Sequence, residues 1–405
     1  MTQNQNKKTT DTNNGGFQPF DSHPPFKQSL EMLPVNPGDA ILRYAAEKPG
    51  VISLVQGQSD NVTPDFIMNA AIKSMQSGQT FYGQTSGQPV LLEALSNYYR
   101  NIFGVNAGPE RFFVTPSGTA AMHIALTMLL EPGDDIVAIT PIWKNLISAV
   151  ELTGATSTNV SLTLDKNGKW KLDLDKLFDS VTPRTRAILV VTPSNPTGWC
   201  ASETEIRAIL NFARANGLWV IADEVYGRMT YDRPRAPSFH DIADDDDNLL
   251  LINSFSKNWS MTGWRLGWLA GPKRMAEKIR SAALYNHLCA PTFLQYGAAA
   301  ALNDGEEFLA QHLSLWRSNR EMVKERFKDH PRIRLLEPDA TYYALFSVEG
   351  ENDCLKLARR VIDEAGVALA PGGAFGQASK GMLRLCFAGG EEKISGVLDR
   401  LGSAL

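Results

Sequence analysis

What most constrains the fold of this chain is a series of apolar runs of strand length, each ending in a cluster of polar and turn-forming residues. Residues 112–116 run into Ser117-Gly118-Thr119, residues 135–140 into Pro141-Ile142-Trp143, and residues 187–192 into Pro193-Ser194-Asn195-Pro196-Thr197-Gly198. Residues 218–222 end in Asp223-Glu224-Val225-Tyr226, and residues 249–253 in Ser254-Phe255-Ser256-Lys257. Helical stretches separate these runs. Near-continuous apolar strands spaced by helices belong in a parallel sheet covered on both faces. Ligands of such open α/β sheets bind outside the carboxyl ends of the strands. Every one of the polar clusters falls there, which sets them apart from a scatter of loose motifs.

With 405 residues the chain is expected to form two domains. Residues 1–28 are rich in Asn, Gln, Thr and Gly and read as a disordered polar head. Towards its end, Phe17, Phe20 and Phe26 with Pro19, Pro24 and Pro25 make an extended apolar arm, which could pack on a neighbouring subunit or on its own domain. Residues 29–50 carry the rest of the arm, with a helix over 39–47, and contribute to a small domain. Residues 51–308 form the large domain. It opens with a strand over 51–55 that turns through Gln56-Gly57-Gln58, and it includes a helix over 89–101 with Pro at its start. A further helix begins at a capping box, Ser202 with Glu205, and stops at Gly217. Residues 309–405 form the small α+β domain: a long helix over 308–328 crosses into strands over 333–337, 342–348 and 382–387, with a helix over 353–365.

The net charge of −4 and the pI near 5.9 offer no basic surface for nucleic acid. No apolar stretch approaches the roughly 20 residues that span a bilayer, and no signal-peptide block opens the chain. Cys200, Cys289, Cys354 and Cys386 are scattered, without metal-type spacing, and read as buried thiols of a protein in a reducing cytoplasm. The acidic run Asp244 to Asp247 reads as a solvated turn rather than a metal site.

The chemistry centres on Lys257. Lysine is the side chain that condenses with an aldehyde to a Schiff base. Hydroxyls precede it, and Arg265 follows eight residues on; an arginine fork with hydroxyls is what a phosphate dianion requires. An aldehyde and a phosphate together suggest pyridoxal phosphate (PLP). An exposed loop with an ordinary Lys and Arg is the alternative for this stretch alone. Gly118, at the start of a helix over 120–130, lets free amides approach an anion, though a plain Ser/Thr cap serves equally well there. Asp223 is the candidate carboxylate for keeping the ring nitrogen protonated, unless it is a simple turn residue. Asn195 and Tyr226 offer donors to the ring oxygen, and Trp143 an indole to stack on the ring or to fill core. Arg384, flanked by apolar residues in 382–387, suits a substrate carboxylate or else a buried pair with one of the chain's own acids.

With these residues assembled, the chain from about Pro34 onward resembles the class I/II aminotransferases of PLP fold type I, the group that includes aspartate aminotransferase. The likeness rests on Ser254-Phe255-Ser256-Lys257 with Gly263 and Arg265, on Asn195-Pro196-Thr197-Gly198, on Asp223-Glu224-Val225-Tyr226, and on Pro371-Gly372-Gly373-Ala374-Phe375-Gly376 followed by Arg384. Each is weak alone; in this order they are specific. The resemblance implies a three-layer large domain with a mostly parallel sheet, plus a smaller α+β domain built from the N-terminal arm and the C-terminal region. It implies Lys257 as the Schiff-base lysine, Asp223 at the ring nitrogen, and Asn195 and Tyr226 at the ring oxygen. Ser254, Arg265 and the Ser117-Gly118-Thr119 amides and hydroxyls would hold the phosphate, with Trp143 stacked on the ring. Gly57 and Arg384, alongside Trp143 and Asn195, would contact the substrate. Tyr82, and with it Thr292, would reach the cofactor phosphate of the opposite subunit, which makes a homodimer with shared sites. Departures are Gln58-Ser59-Asp60-Asn61 where the family carries an acidic-Pro-Asp-Phe pattern, Ala340 in place of a common glycine, and Thr119 where some bacterial aspartate transaminases have lysine.

The implied activity is transfer of an amino group from an L-amino acid to a 2-oxo acid through a PLP/pyridoxamine phosphate cycle. The same residues would also serve a β- or γ-eliminating carbon–sulfur lyase, because leaving groups and proton routing decide the fate of the Cα carbanion. A PLP-sensing regulator would need a DNA-binding module, for which the short N-terminal arm has neither length nor charge.

Overall fold

The structure, a computed structural model, describes residues 26–405 other than 32 and 34. The polar head up to residue 25, with Phe17, Phe20 and Pro19, Pro24 and Pro25 of the arm, lies outside the described residues.

Seven strands make the central sheet: β1 (Phe112–Thr115), β2 (Asp135–Thr140), β3 (Thr156–Ser161), β4 (Thr185–Val191), β5 (Trp219–Asp223), β6 (Leu249–Ser254) and β7 (Gly267–Ala270). Their order across the sheet is β1-β7-β6-β5-β4-β2-β3. All neighbours are parallel except β7, which runs antiparallel to both β1 and β6. The two-residue period of a strand explains why these runs are apolar throughout. In β4, Ala187, Leu189 and Val191 join one core cluster, while Ile188 and Val190 join the cluster on the opposite face. β2 and β5 divide in the same way, Ile136, Ala138 and Ile221 to one side, Val137, Ile139, Val220 and Ala222 to the other. Helices Gly118–Leu129 and Lys144–Thr153 cover the first face and Glu203–Asn216 the second. The three layers of an α/β fold follow directly.

A second sheet of four antiparallel strands is built from β8 (Ile333–Leu336), β9 (Tyr343–Val348), β10 (Ala370–Pro371) and β11 (Met382–Cys386), ordered β8-β9-β11-β10. Helices Glu306–Phe327, Cys354–Ala365 and Glu391–Ala404 share its core. Residues from the other end of the chain enter the same core: Ile41 and Ala45 of helix Pro37–Ala46, then Leu54 and Val55. The run at 51–55 keeps only Ile52–Ser53 as strand, paired in parallel with Val367–Ala368. The helix expected over 89–101 is α-helical for Pro89–Tyr98 and then widens to a π turn, Tyr99–Phe103, which ends at Gly104 with φ 72°.

Two readings of side chains are corrected. The acidic run is not a simple solvated turn: the Asp247 carboxylate is buried and accepts two 2.6 Å bonds from Arg214, and Asp245 accepts one from Arg111. Once a guanidinium is near, a carboxylate gains more from the pairing than from water. Of the four cysteines only Cys354 and Cys386 are buried; Cys200 and Cys289 are partly exposed, and all four are free thiols.

Candidate active site

The carboxyl ends of β2, β4, β5 and β6 converge on a cavity of about 430 Å³, between the central sheet and the second sheet. Its size is that of an ordinary small-ligand site. Of the residues singled out from the sequence, Gly57, Gly118, Thr119, Trp143, Asn195, Asp223, Tyr226, Ser254, Lys257, Arg265 and Arg384 line this one cavity.

Lys257 lies on Phe255–Asn258, a single helical turn at the end of β6, with Ser254 as its N-cap. Its Nζ donates to the Gly57 carbonyl at 2.7 Å. Burial lowers its pKa from 10.5 to about 8, so the free base is accessible near neutrality. Gly57 is required by space: a Cβ there would sit 1.7 Å from the Tyr343 hydroxyl. Tyr342 donates to the same Gly57 carbonyl at 3.2 Å.

Asp223 ends β5. Burial raises its carboxyl from 3.8 to about 6, against the Val225 N–H (3.2 Å to Oδ1) and the nearby Lys257, which pull it down. A carboxylate so starved of water gains strongly from any protonated nitrogen brought to it. Tyr226 shares a 2.9 Å hydroxyl–hydroxyl bond with Tyr343, and burial pushes both phenols up, so both remain neutral donors.

Arg384 is 3% exposed, at the middle of β11. Its guanidinium lies 4.3 Å from the Tyr343 ring centroid and 5.0 Å from that of Phe375. Nη1 donates to Asn195 Oδ1 at 2.8 Å and Nη2 to the Val55 carbonyl, while Nε has no partner. Among the described residues no carboxylate pairs with it, which removes the alternative of a buried pair with one of the chain's own acids. A buried cation without its anion is costly, and it opens on the same cavity as Lys257.

At another part of the wall, Gly118, Thr119, Ser254, Ser256 and Arg265 come together. The backbone is strained to build this cup: Ser117 has φ 133° and Arg265 φ 52°, both unusual without glycine. Packing fixes them. Thr115 donates to the Ser117 carbonyl (2.8 Å), and Arg265 Nη1 donates to the Thr262 carbonyl (2.8 Å). A Cβ on Gly267, in β7, would fall 2.5 Å from the Gly118 nitrogen, so only glycine lets β7 pass beneath the cup. Hydroxyls, helix-start amides and an arginine are the donor set for a phosphate.

Three of the singled-out residues lie elsewhere. The Ser117 hydroxyl caps its own helix, accepting from the Ala120 N–H at 3.1 Å, and Ser117 is not part of the wall. Tyr82 and Thr292 line a separate hollow of about 320 Å³, with Tyr82 87% exposed. Trp143 is 37% exposed at the mouth rather than buried in the core. Ser256 and Phe375, which lie inside the quoted motifs with no individual role assigned to them, also line the wall, as do Tyr343, embedded in an apolar run, and the mouth residues Asn36, Gly38, Asp39, Lys144 and Asn145. Asn36 caps helix Pro37–Ala46 and also donates to Asn145 Oδ1 at 3.3 Å, a contact at the mouth that leaves no sequence signature.

A family model described as aminotransferase class I and II matches residues 49–401. An aspartate aminotransferase of Musicola paradisiaca is 31% identical over 370 residues, 91% of this chain and 92% of that protein. Aromatic-amino-acid aminotransferase 2 of Thermococcus litoralis is 31% identical over 382 residues, 93% of this chain and 97% of that one. Among solved structures, a single mutant of Thermus thermophilus aspartate aminotransferase superposes with a TM-score of 0.88 at 26% identity, covering 95% of this chain and 100% of that one.

Proposed function

The chain belongs to the class I and II aminotransferases and is an enzyme of amino-group transfer; from that premise we propose that the cavity holds PLP and that the residues around it divide the work as follows. The residues fit the cofactor: a donor cup for its phosphate, a water-poor carboxylate for its ring nitrogen, and phenol and amide donors for its ring oxygen. When bound, the cofactor supplies an aldehyde to take up the amine and a ring to spread the electrons left at Cα.

Thr119, Ser254, Ser256, Arg265 and the Gly118 amide hold the phosphate. Asp223 faces the ring nitrogen and keeps it protonated, because its own neutralisation by burial is only partial. Tyr226 and Asn195 donate to the ring oxygen, and Trp143 covers the ring at the mouth. Arg384 binds the substrate's α-carboxylate in a fork and so turns Cα toward Lys257. Lys257, a free base above about pH 8, holds the cofactor at rest and carries the proton on and off Cα. The relatives' names point to amino acids such as aspartate or an aromatic amino acid as donor, and amino-group transfer takes a 2-oxo acid as acceptor. No observation favours the carbon–sulfur lyase.

The observation that carries this reading is the unpaired Arg384 guanidinium opening on the same cavity as Lys257. The test adds single amino donors, without acceptor, to PLP-loaded enzyme, wild type and Arg384→Ala. Wild type should convert one donor per subunit and stop until 2-oxoglutarate or pyruvate is added. Arg384→Ala should retain PLP and lose donor affinity by ~10²-fold, the scale of a lost charge-assisted pair. Continuing release of ammonia would mark elimination instead, and loss of PLP from Arg384→Ala would return that residue to a structural role.

The reading also includes a homodimer. Tyr82, and with it Thr292, act in the site of the other subunit, which is supported by their position in a hollow of their own. The large domain spans residues 51–308 and the small domain residues 309–405 with the arm at 29–50, so that the site lies between them. Scattered free thiols support a reducing, cytoplasmic setting. Among the described residues no helix is long and apolar enough to cross a membrane, and none of their His, Cys, Asp and Glu side chains cluster as metal ligands.

A further inference from the structure

β5 and β6 pair in register only as far as Asp223 and Ile252. Beyond that point β6 stays paired with β7, through Asn253 and Ser254, and the two parallel strands part to open the cavity. One backbone bond still crosses there, from the Glu224 N–H to the Ile252 carbonyl at 3.0 Å, and past it a single side chain adds a second link. The Asn253 carboxamide donates from Nδ2 to the Glu224 carbonyl at 3.3 Å and accepts the Ser254 N–H on Oδ1 at 2.8 Å. Asn253 is buried and is not part of the cavity wall. Each end of the brace is itself anchored. The Glu224 carboxyl accepts from the Ser238 hydroxyl (2.6 Å) and the Phe239 N–H (2.9 Å), while the Ser254 hydroxyl accepts from the Ser256 N–H (3.1 Å). One residue before Glu224 is Asp223; three after Ser254 is Lys257.

We propose that Asn253 is a positioning residue, its carboxamide bracing the parted ends of β5 and β6 so that Asp223 and Lys257 keep the separation the reaction needs. The brace rests on the reading of those two residues given above. It supplements the last ladder bond, Glu224 N–H to Ile252 carbonyl, on the carbonyl side of Glu224, where the two strands part. A residue that acts through geometry leaves binding of the substrate carboxylate, which belongs to Arg384, alone.

The test compares wild type with Asn253→Ala, which loses both bonds, and Asn253→Asp, which keeps the acceptor for Ser254 and loses the donor to Glu224. Three quantities are read: the melting temperature, the pH midpoint of the bound PLP's visible absorbance, and kcat against KM. In both variants the midpoint should move upward, by about one pH unit in Asn253→Ala, because an acid held less closely to the ring nitrogen leaves the ring less electron-demanding. kcat should fall by ~10²-fold, the cost of a misplacement near 1 Å, with the donor KM roughly unchanged. A lower melting temperature with the midpoint and kcat of wild type would overturn the proposal and leave Asn253 a plain packing residue. If Asn253→Ala does not fold, an unmoved midpoint in Asn253→Asp overturns it alone. Wild type lacking any PLP absorbance would instead defeat the assignment of the cofactor site, and the two failures are thereby told apart.

Discussion

Lys257 and Asp223 are held in states that folding disfavours, and the sign of each effect can be read from its direction. Burial lowers the Lys257 amine from 10.5 to about 8. Between those values the unfolded chain binds more protons than the folded one, so stability rises with pH across that window. Below about pH 8 the amine imposes its full cost, roughly 3 kcal/mol by the size of the shift. Asp223 runs the other way in pH: raised from 3.8 to about 6, it is kept protonated longer by the folded chain, and stability falls as pH climbs through that interval. At neutral pH both costs are in force, and the proposed cofactor, when bound, would offset them. Lys257→Met, which keeps the stem and removes the amine, should therefore melt about 3–6 °C above wild type at pH 7 when both are free of cofactor. That difference should close as the pH approaches 10.5, while turnover is abolished throughout. Equal melting temperatures at pH 7 would show that the amine is hydrated in the cofactor-free protein.

At the scale of the element, the helix Glu203–Asn216 gives the cleanest separation of stability from activity. The Ser202 hydroxyl accepts the Glu205 N–H at 3.2 Å while the Glu205 carboxylate accepts the Ser202 N–H at 2.7 Å, on an exposed corner away from the cavity. Ser202→Ala should cost ~1 kcal/mol in urea unfolding, with kcat unchanged; an unchanged unfolding midpoint would mean that water replaces the cap without loss. That box was legible in the sequence, as were β2, β4, β5 and β6, because burial on both faces leaves an unbroken apolar run. β3 was not, since Thr156–Ser161 is an edge strand whose only fully buried residue is Val160. β7 was missed for another reason: Gly267–Ala270 opens with a glycine and runs into Gly271, which leaves only Trp268-Leu269-Ala270 as an apolar run, and its reversed direction depends on how Arg265 turns the chain. The site follows the same division. The polar residues at strand ends that line the cavity were visible as departures from apolar runs, whereas Tyr343 looked like core, and Asn36 reaches the mouth only through tertiary packing.

On the scale of the whole molecule, Tyr82 is the residue whose role a single chain does not explain. The loop that bears it is tied down, with the Thr292 hydroxyl donating to the Phe81 carbonyl at 2.9 Å, yet Phe81 and Tyr82 both point their rings outward. Tyr285 is 88% exposed, and Val62 is similarly exposed. The proposed dimer would cover such outward rings on a tied-down loop, and a twofold pair is the commonest arrangement. If Tyr82 serves the partner's site, a subunit carrying Tyr82→Ala still owns a sound Lys257, and a subunit carrying Lys257→Ala still lends a sound Tyr82. Mixed and reassembled, the two variants should form hybrid dimers in which one of the two sites is wholly wild type. Random pairing puts such sites at roughly a quarter of the total, by the arithmetic of a closed twofold pair, so the mixture should recover that share of wild-type turnover. Neither variant alone should approach it, and turnover should appear only after subunits have exchanged. A mixture that gains nothing on exchange would place the Tyr82 side chain in the service of its own chain, and the shared-site dimer would have to be given up.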